Sequence, residues 1–334
     1  MDDLPPISDW NDAWVQGVNG REAADMTWVN GGGRIETEIE PDDLPRITAL
    51  TVRELLEKTL PRRQMMLAPW LQEKALAMCH AYRGVGKTNF GIGVAWAVAT
   101  GGEFLGWTAP KARRVLYLDG EMPAVDLQAR FREVAERNSI GLLSDDFLKI
   151  AAADLHPEGL PDLGDPDAQG FYADVVGDAD LVIGDNLSTL CPNIKESDND
   201  SWTPVQKWAL NQRRAGKSVL WLHHDGKSGQ QRGSSRKEDP LDTVMQLKRP
   251  PDYSAEQGCR FELRFEKNRG FHGADAAPFE AWLKEGAWCI SEIRSGDDLE
   301  TLKALSKQGC SIREIAERTG MSKSTVQRRL GDEN

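Results

Sequence analysis

One stretch limits the folds open to this chain more than any other. Residues 74–102, KALAMCHAYRGVGKTNFGIGVAWAVATGG, pass from an apolar strand-like run through a glycine turn into a helix-like run that closes on Gly101 and Gly102. The turn reads RGVGKT. It matches G-x-x-x-x-G-K-[ST] except at its first position, where Ala81 stands in place of glycine. In such a turn the backbone N–H groups face a helix N-terminus, where the helix dipole favours anions. Gly84 and Gly86 allow the tight path, with Arg83, Val85 and Asn89 completing the phosphate-binding stretch. Lys87 is expected to reach the β- and γ-phosphates, and Thr88 to ligate Mg²⁺. The plainer alternative is a strand–turn–helix corner with an exposed lysine.

The residues downstream decide between these. RRVLYLDGE, DADLVIGDN and SVLWLHHD read as three further apolar strands. PAVDLQARFREVAERNS and WTPVQKWALNQRRAG read as helices between them, the first with Leu127, Phe131 and Val134 on one face. Strands alternating with helices imply an α/β fold with a mostly parallel sheet covered on both faces. Ligands of such sheets bind at the carboxyl ends of the strands. Asp185 ends one strand and is expected to hold the Mg²⁺ shell. Asp119 and Glu121 end another, and Glu121, beyond the strand, is the better candidate to orient or deprotonate a water. His223 and His224 end a third. Adjacent strand residues face opposite ways, so one histidine is expected in the packing, and His224 beside the γ-phosphate. A single acid at a strand end is most simply a turn cap. Several on one rim, with a phosphate loop, point to a nucleotide site.

Further on the pattern changes. DTVMQLKRP and RFELRFEKNRG alternate apolar and polar residues and read as antiparallel strands, with APFEAWLKEGAWCI closing the sheet. The expected layout is an acidic segment over 1–45, an ATPase domain over 46–292, a linker over 293–300 and a helix-turn-helix domain over 301–334. In the last, TLKALSKQGCSIREIAERTGMSKSTVQRRL carries Lys303, Lys307, Arg313, Arg318, Lys323, Arg328 and Arg329 against Glu314 and Glu317, in a chain of net charge −12. Ile312, Ile315, Ala316, Val326 and Leu330 are its expected core, with Gly320 at the turn. Ser322 is expected to cap the last helix, with Lys323, Ser324, Thr325, Gln327 and Arg328 reaching DNA. A helical protein-interaction unit is the alternative.

The motifs RGVGKT, RRVLYLDGEMP, DADLVIGDNLSTL, LWLHHDGKSGQQRGSSRKEDPLDTVMQLKRP and RFEKNRG, in this order over residues 50–285, resemble the RecA-like P-loop ATPases related to the RepA-type hexameric replicative helicases. The C-terminal segment resembles the helix-turn-helix units of resolvases. The first resemblance implies a RecA-like core, ATP and Mg²⁺ as ligands, and a homo-oligomeric ring with ATP between neighbours. It implies that Lys267 and Arg269, in EKNRG, enter the neighbour's site and neutralise charge on the transferring phosphoryl group. It places GKSGQQRGSSRK, with Lys227, Arg232, Arg236 and Lys237, at a central channel, where cations among small polar residues suit single-stranded DNA. The stretch ISDWNDAWVQGVNG is similar to the tail that follows a TOPRIM primase module, which implies a primase as partner; an acidic arm is the alternative.

The functions that follow are a DNA helicase or translocase, or else an ATP-switched DNA-binding regulator or replication initiator. A small-molecule kinase fits less well, because it accounts for neither EKNRG nor the C-terminal unit. Cys79, Cys191, Cys259, Cys289 and Cys310 are scattered and form no CxxC, which argues against disulfides and zinc and for the cytoplasm. No secretory or membrane-spanning run is expected.

Overall fold

The computed structural model describes residues 28–30, 33–35, 47–138, 141–194, 200–225, 238–293, 299–319 and 321–331. The chain divides into two units, Met1–Arg62 and Arg63–Asn334. The first contains a short hairpin, Trp28–Asn30 with Gly33–Ile35, and the helix Val52–Glu57. Thr51 and Glu54 cap that helix reciprocally, each accepting from the other's backbone N–H.

The second unit is built on a nine-stranded sheet. Its strands are β1 (Leu76–Ala81), β2 (Val115–Asp119), β3 (Leu148–Ala152), β4 (Leu181–Asp185), β5 (Ser218–His224), β6 (Thr243–Lys248), β7 (Arg260–Asn268), β8 (Phe279–Lys284) and β9 (Ala287–Glu292). They lie side by side as β9-β8-β7-β6-β1-β5-β4-β2-β3. From β6 to β3 every pairing is parallel, and β7, β8 and β9 are added antiparallel. This is the mostly parallel α/β sheet that the sequence pattern predicts, in the RecA-like form that the resemblance implies. β3 was not among the expected strands. It is an edge strand whose residues are mostly half-buried or exposed, so its sequence, LKIAA, lacks the continuous apolar run of a central strand.

Alternation along the strands divides the core into two layers. Ala77, Cys79, Tyr117, Ile183, Leu220 and Leu222 face α1 (Lys87–Thr100) and α2 (Ala124–Arg137). Leu76, Met78, Leu118, Val182, Val219 and Trp221 face the layer of α3 (Thr203–Arg214), which contributes Val205, Trp208 and Ala209. α1 is buried almost all round, and Gly93 lets it approach the Glu103–Phe104 strand: a Cβ there would stand 2.1 Å from the Phe104 ring. That ring is held edge-on by Phe90 and Trp288 and has little room to yield. Gly93→Ala is therefore expected to destabilise the fold by about 1–3 kcal/mol in chemical denaturation, the usual cost of overpacking a core.

The C-terminal helices α4 (Leu299–Lys307), α5 (Ile312–Thr319) and α6 (Lys323–Gly331) have a core of their own. It consists of Leu302, Leu305, Ile315, Ala316 and Val326, with Leu330 packed partly against it. Ile312 was expected there but is 37% exposed. It opens α5 directly after the capping residue Ser311, and the first helix supplies Leu302 and Leu305 to the centre instead. The expected turn residue Gly320 lies outside the described residues. No described helix is long and apolar enough to cross a membrane.

Candidate nucleotide site

The carboxyl ends of β2, β4, β5 and β1 lie side by side, which sets Glu121, Asp185, Asn186, His224 and Lys87 along one rim. A cavity of about 480 Å³ opens there. It is lined by the predicted residues Arg83, Gly84, Gly86, Lys87, Thr88 and Asn89 of the loop, and by Asp119, Glu121, Asp185 and His224. Val85 is not part of the lining; its side chain is buried, and its carbonyl accepts from Cys259 Sγ at 3.9 Å.

Ala81 is accommodated because it is still strand. It is fully buried at the end of β1, in register with His224 and Leu247, and has no left-handed backbone that would call for glycine. Gly86 is different. Its φ is +126°, and a Cβ would stand 2.4 Å from Cys259 Sγ, so glycine is required where the loop enters α1.

The Lys87 ammonium is buried within the loop. It donates to the Ala81 carbonyl at 3.0 Å and to His224 Nδ1 at 2.9 Å. Burial pulls its pKa down, partly offset by the surrounding acids. Accepting from Lys87 at Nδ1 fixes the neutral tautomer of His224, with its proton on Nε2. Burial and the Lys87 charge hold its pKa below the ordinary histidine value. His224 Nε2 lies 3.5 Å from Glu121 Oε2. His223 points into the other layer, edge-on to Trp202 at 5.9 Å.

Asp185 is fully buried, which raises its pKa, while hydrogen bonds from Tyr117 and Thr88 and the Lys87 charge oppose the rise. Thr88 and Asp185 thus present a hydroxyl and a carboxylate together beside the phosphate loop. This donor set fits Mg²⁺, which takes few protein oxygens and keeps waters and substrate phosphates as its other ligands. Among the described residues no group of three or more His, Cys, Asp or Glu is placed to enclose a metal.

Asp119 lies under the turn after β2 and accepts from the N–H groups of Glu121 and Met122 at 3.1 and 2.7 Å. Burial, with Asp185 and Glu121 nearby, pushes its carboxyl up to about 6. It sets the backbone from which Glu121 projects.

Asn186 is a site residue that the sequence reading did not single out. Its Oδ1 accepts from the N–H groups of Ser188 and Thr189, which fixes the amide, and its Nδ2 donates to Glu121. The available signal was an amide directly after the acid that ends an apolar strand. Arg130, which donates to Asn89 Oδ1 at 3.1 Å, and Cys259 also line the cavity unforeseen.

Other predicted residues lie elsewhere. β7 runs against β6, so Lys267 and Arg269 are at the opposite end of the sheet from the phosphate loop. Lys267 donates to the Glu238 carbonyl, and Arg269 to that of Asp239 at 3.5 Å. Lys227, Arg232, Arg236 and Lys237 lie outside the described residues. In the C-terminal unit Ser322 caps α6, its Oγ accepting from Thr325 N–H at 3.1 Å. Lys323, Ser324, Gln327 and Arg328 are exposed, and Thr325 partly so.

A phosphate loop, with a buried acid at the end of β4 and a glutamate beyond β2 on the same rim, defines a P-loop nucleotide-binding domain. The chain belongs to the family of AAA domains (AAA_25), whose model matches residues 40–230, more than half of its length. Residues 298–332 match the model of winged helix-turn-helix DNA-binding domains (HTH_24), although only helices occur among the described residues of that segment. No curated protein matches the chain. An AAA-type ATPase domain joined to a DNA-binding unit connects nucleotide chemistry to DNA.

Proposed function

We propose that this protein is an ATP-driven motor on DNA, a helicase or translocase that works as a ring with ATP held between subunits. The observation that carries the reading is the unbroken line of contacts from Lys87 through His224 to Glu121, with Asn186 bracing the glutamate. Lys87 and the loop amides bind the phosphates. Glu121 orients the attacking water and accepts its proton. His224, in contact with both, registers the γ-phosphate and passes its presence to the segment that follows. Thr88 and Asp185 would hold Mg²⁺, which would supply positive charge against the phosphates. Arg83 and Arg130 line the cavity from within the chain, and Arg269, at the opposite end of the sheet, is the cation we assign to a neighbour's site.

A mixing experiment tests the shared site. Lys87→Ala protein and Arg269→Ala protein, each expected to be inactive alone, are mixed at equal concentration. Hydrolysis that reappears on mixing supports catalysis across subunits, because some sites then pair an intact loop with a neighbour's intact arginine. No recovery in a mixture shown to exchange subunits contradicts it.

The second reading, an ATP-switched regulator, is favoured by the capped α6 with its exposed cations. Arg328→Ala is expected to weaken duplex binding and to lower the slope of log K against log salt by about 1, as loss of one phosphate contact does. Fluorescence anisotropy over a salt series measures this. Sequence-specific duplex binding that survives Lys87→Ala, with hydrolysis indifferent to single strands, favours the regulator.

A further inference from the structure

His80 has no part in the site described above, yet it is 1% exposed one residue before the end of the phosphate-loop strand. Its side chain faces the α3 layer, opposite to His224, with His223 and Gln246 as its register partners on β5 and β6. Both ring nitrogens meet carboxylates: Nδ1 lies 2.6 Å from Asp225 Oδ1, and Nε2 lies 2.8 Å from Glu266 Oε2. An imidazole can donate from both nitrogens only when it carries two protons, so this geometry selects the cation.

The two acids belong to the elements that the ATPase reading has to coordinate. Asp225 directly follows His224, and its N–H donates to the Ala81 carbonyl at 2.9 Å, the same oxygen that Lys87 contacts. Glu266 directly precedes Lys267. The register between β6 and β7 pairs Val244 with Lys267 and Met245 with Phe265, so Glu266 is the extra residue of a bulge. Bulges re-aim side chains, and this one gives His80 its second acceptor.

We propose that His80 is a positioning residue for ATP hydrolysis: protonated between Asp225 and Glu266, it ties the phosphate-loop strand to the end of the strand carrying His224 and to β7, which carries Lys267 and leads into Arg269. The inference rests on the ATPase reading and adds an internal brace to it. Burial opposes the charge, but the bonds to Asp225 and Glu266 outweigh it and leave the imidazole raised to about 9. Its bond to His80 lowers the Glu266 pKa. Glu238 also faces this group, and burial and the Glu266 charge raise its pKa. Lys267 donates to the Glu238 carbonyl and brings a further cation to this side of the sheet. Because the folded pKa lies above the ordinary value of 6.5, the brace is complete below about 6.5 and is lost as pH rises through about 9.

The test compares wild type with Glu266→Gln, a change at a half-exposed side chain that leaves the fold intact. The rate of MgATP hydrolysis at saturation is followed from pH 7 to 10, with the affinity for a fluorescent ADP analogue at each pH. Wild-type turnover is expected to fall on an alkaline limb near 9. In Glu266→Gln that limb moves down by about 1 unit, the effect of removing one adjacent carboxylate, while ADP affinity stays within about twofold. Limbs that coincide, or turnover and ADP affinity lost together, overturn the proposal. Nitrogen shifts of labelled histidines, assigned with His80→Gln, are read over the same range. Should wild type bind ADP and hydrolyse nothing, the ATPase reading fails and the positioning role fails with it. The shifts then settle the bridge alone: titration near 9 that moves down in Glu266→Gln upholds it, and titration near 6.5 in wild type refutes it.

Discussion

Lys87→Ala is expected to reduce ATP hydrolysis by on the order of 10²–10³ or more, the cost of losing a preorganised charge at the transferring phosphoryl group. The ammonium is the only lysine lining the described cavity. It is buried and held at 3.0 Å from the Ala81 carbonyl, directly beneath the loop. Three acids, Asp119, Glu121 and Asp185, share the cavity, so without the ammonium the loop amides, Arg83 and Arg130 are left to oppose phosphate charge. The same substitution should spare the fold. A desolvated ammonium is costly to keep, as its lowered pKa shows, and alanine removes that cost along with its hydrogen bonds. A phosphate-release assay beside a thermal melt separates the two effects. Hydrolysis within about tenfold of wild type would remove Lys87 from the chemistry.

Glu121→Gln is expected to act on turnover and leave binding alone. Removing a positioned general base costs about 10²–10⁴ in rate. Glutamine keeps the length of the side chain and an acceptor for Asn186 Nδ2, so the rim should hold its shape. The turn itself is set by Asp119 through the backbone, which the substitution does not touch. The expected pattern is a large fall in kcat with nucleotide affinity unchanged, read by single-turnover hydrolysis and by titration with a fluorescent ADP analogue. A loss confined to affinity would make Glu121 a binding residue and leave the water without its base.

The parts of this molecule that were legible in its sequence are those with local signals. Apolar runs such as LVIGD and VLYLD place strands, and the acid at the end of each falls on the rim because strand ends converge. The glycine-lysine-threonine turn gives the loop, and alternation separates His224 from His223. What escaped has no local signature. β3 lies at the edge, half covered, and needs few apolar residues. Asn186 is one amide after a strand, and its hold on Glu121 comes from a residue 65 positions away. His80 reads as one more residue of a buried strand; Asp225 and Glu266, at 145 and 186 positions' distance, meet it only once the sheet has formed. Ile312 illustrates the reverse. Its spacing from Ile315 and Ala316 suits a common face, but the preceding helix fills the core first.

The central claim is that the nucleotide site drives work on DNA. The most direct measurement is steady-state ATP hydrolysis by the full chain with Mg²⁺, with and without single-stranded DNA, and with duplex DNA in parallel. Lys87-dependent hydrolysis is expected to rise several-fold with single strands and less with duplex. Hydrolysis unchanged by either form of DNA, at concentrations where anisotropy shows the DNA bound, would contradict it.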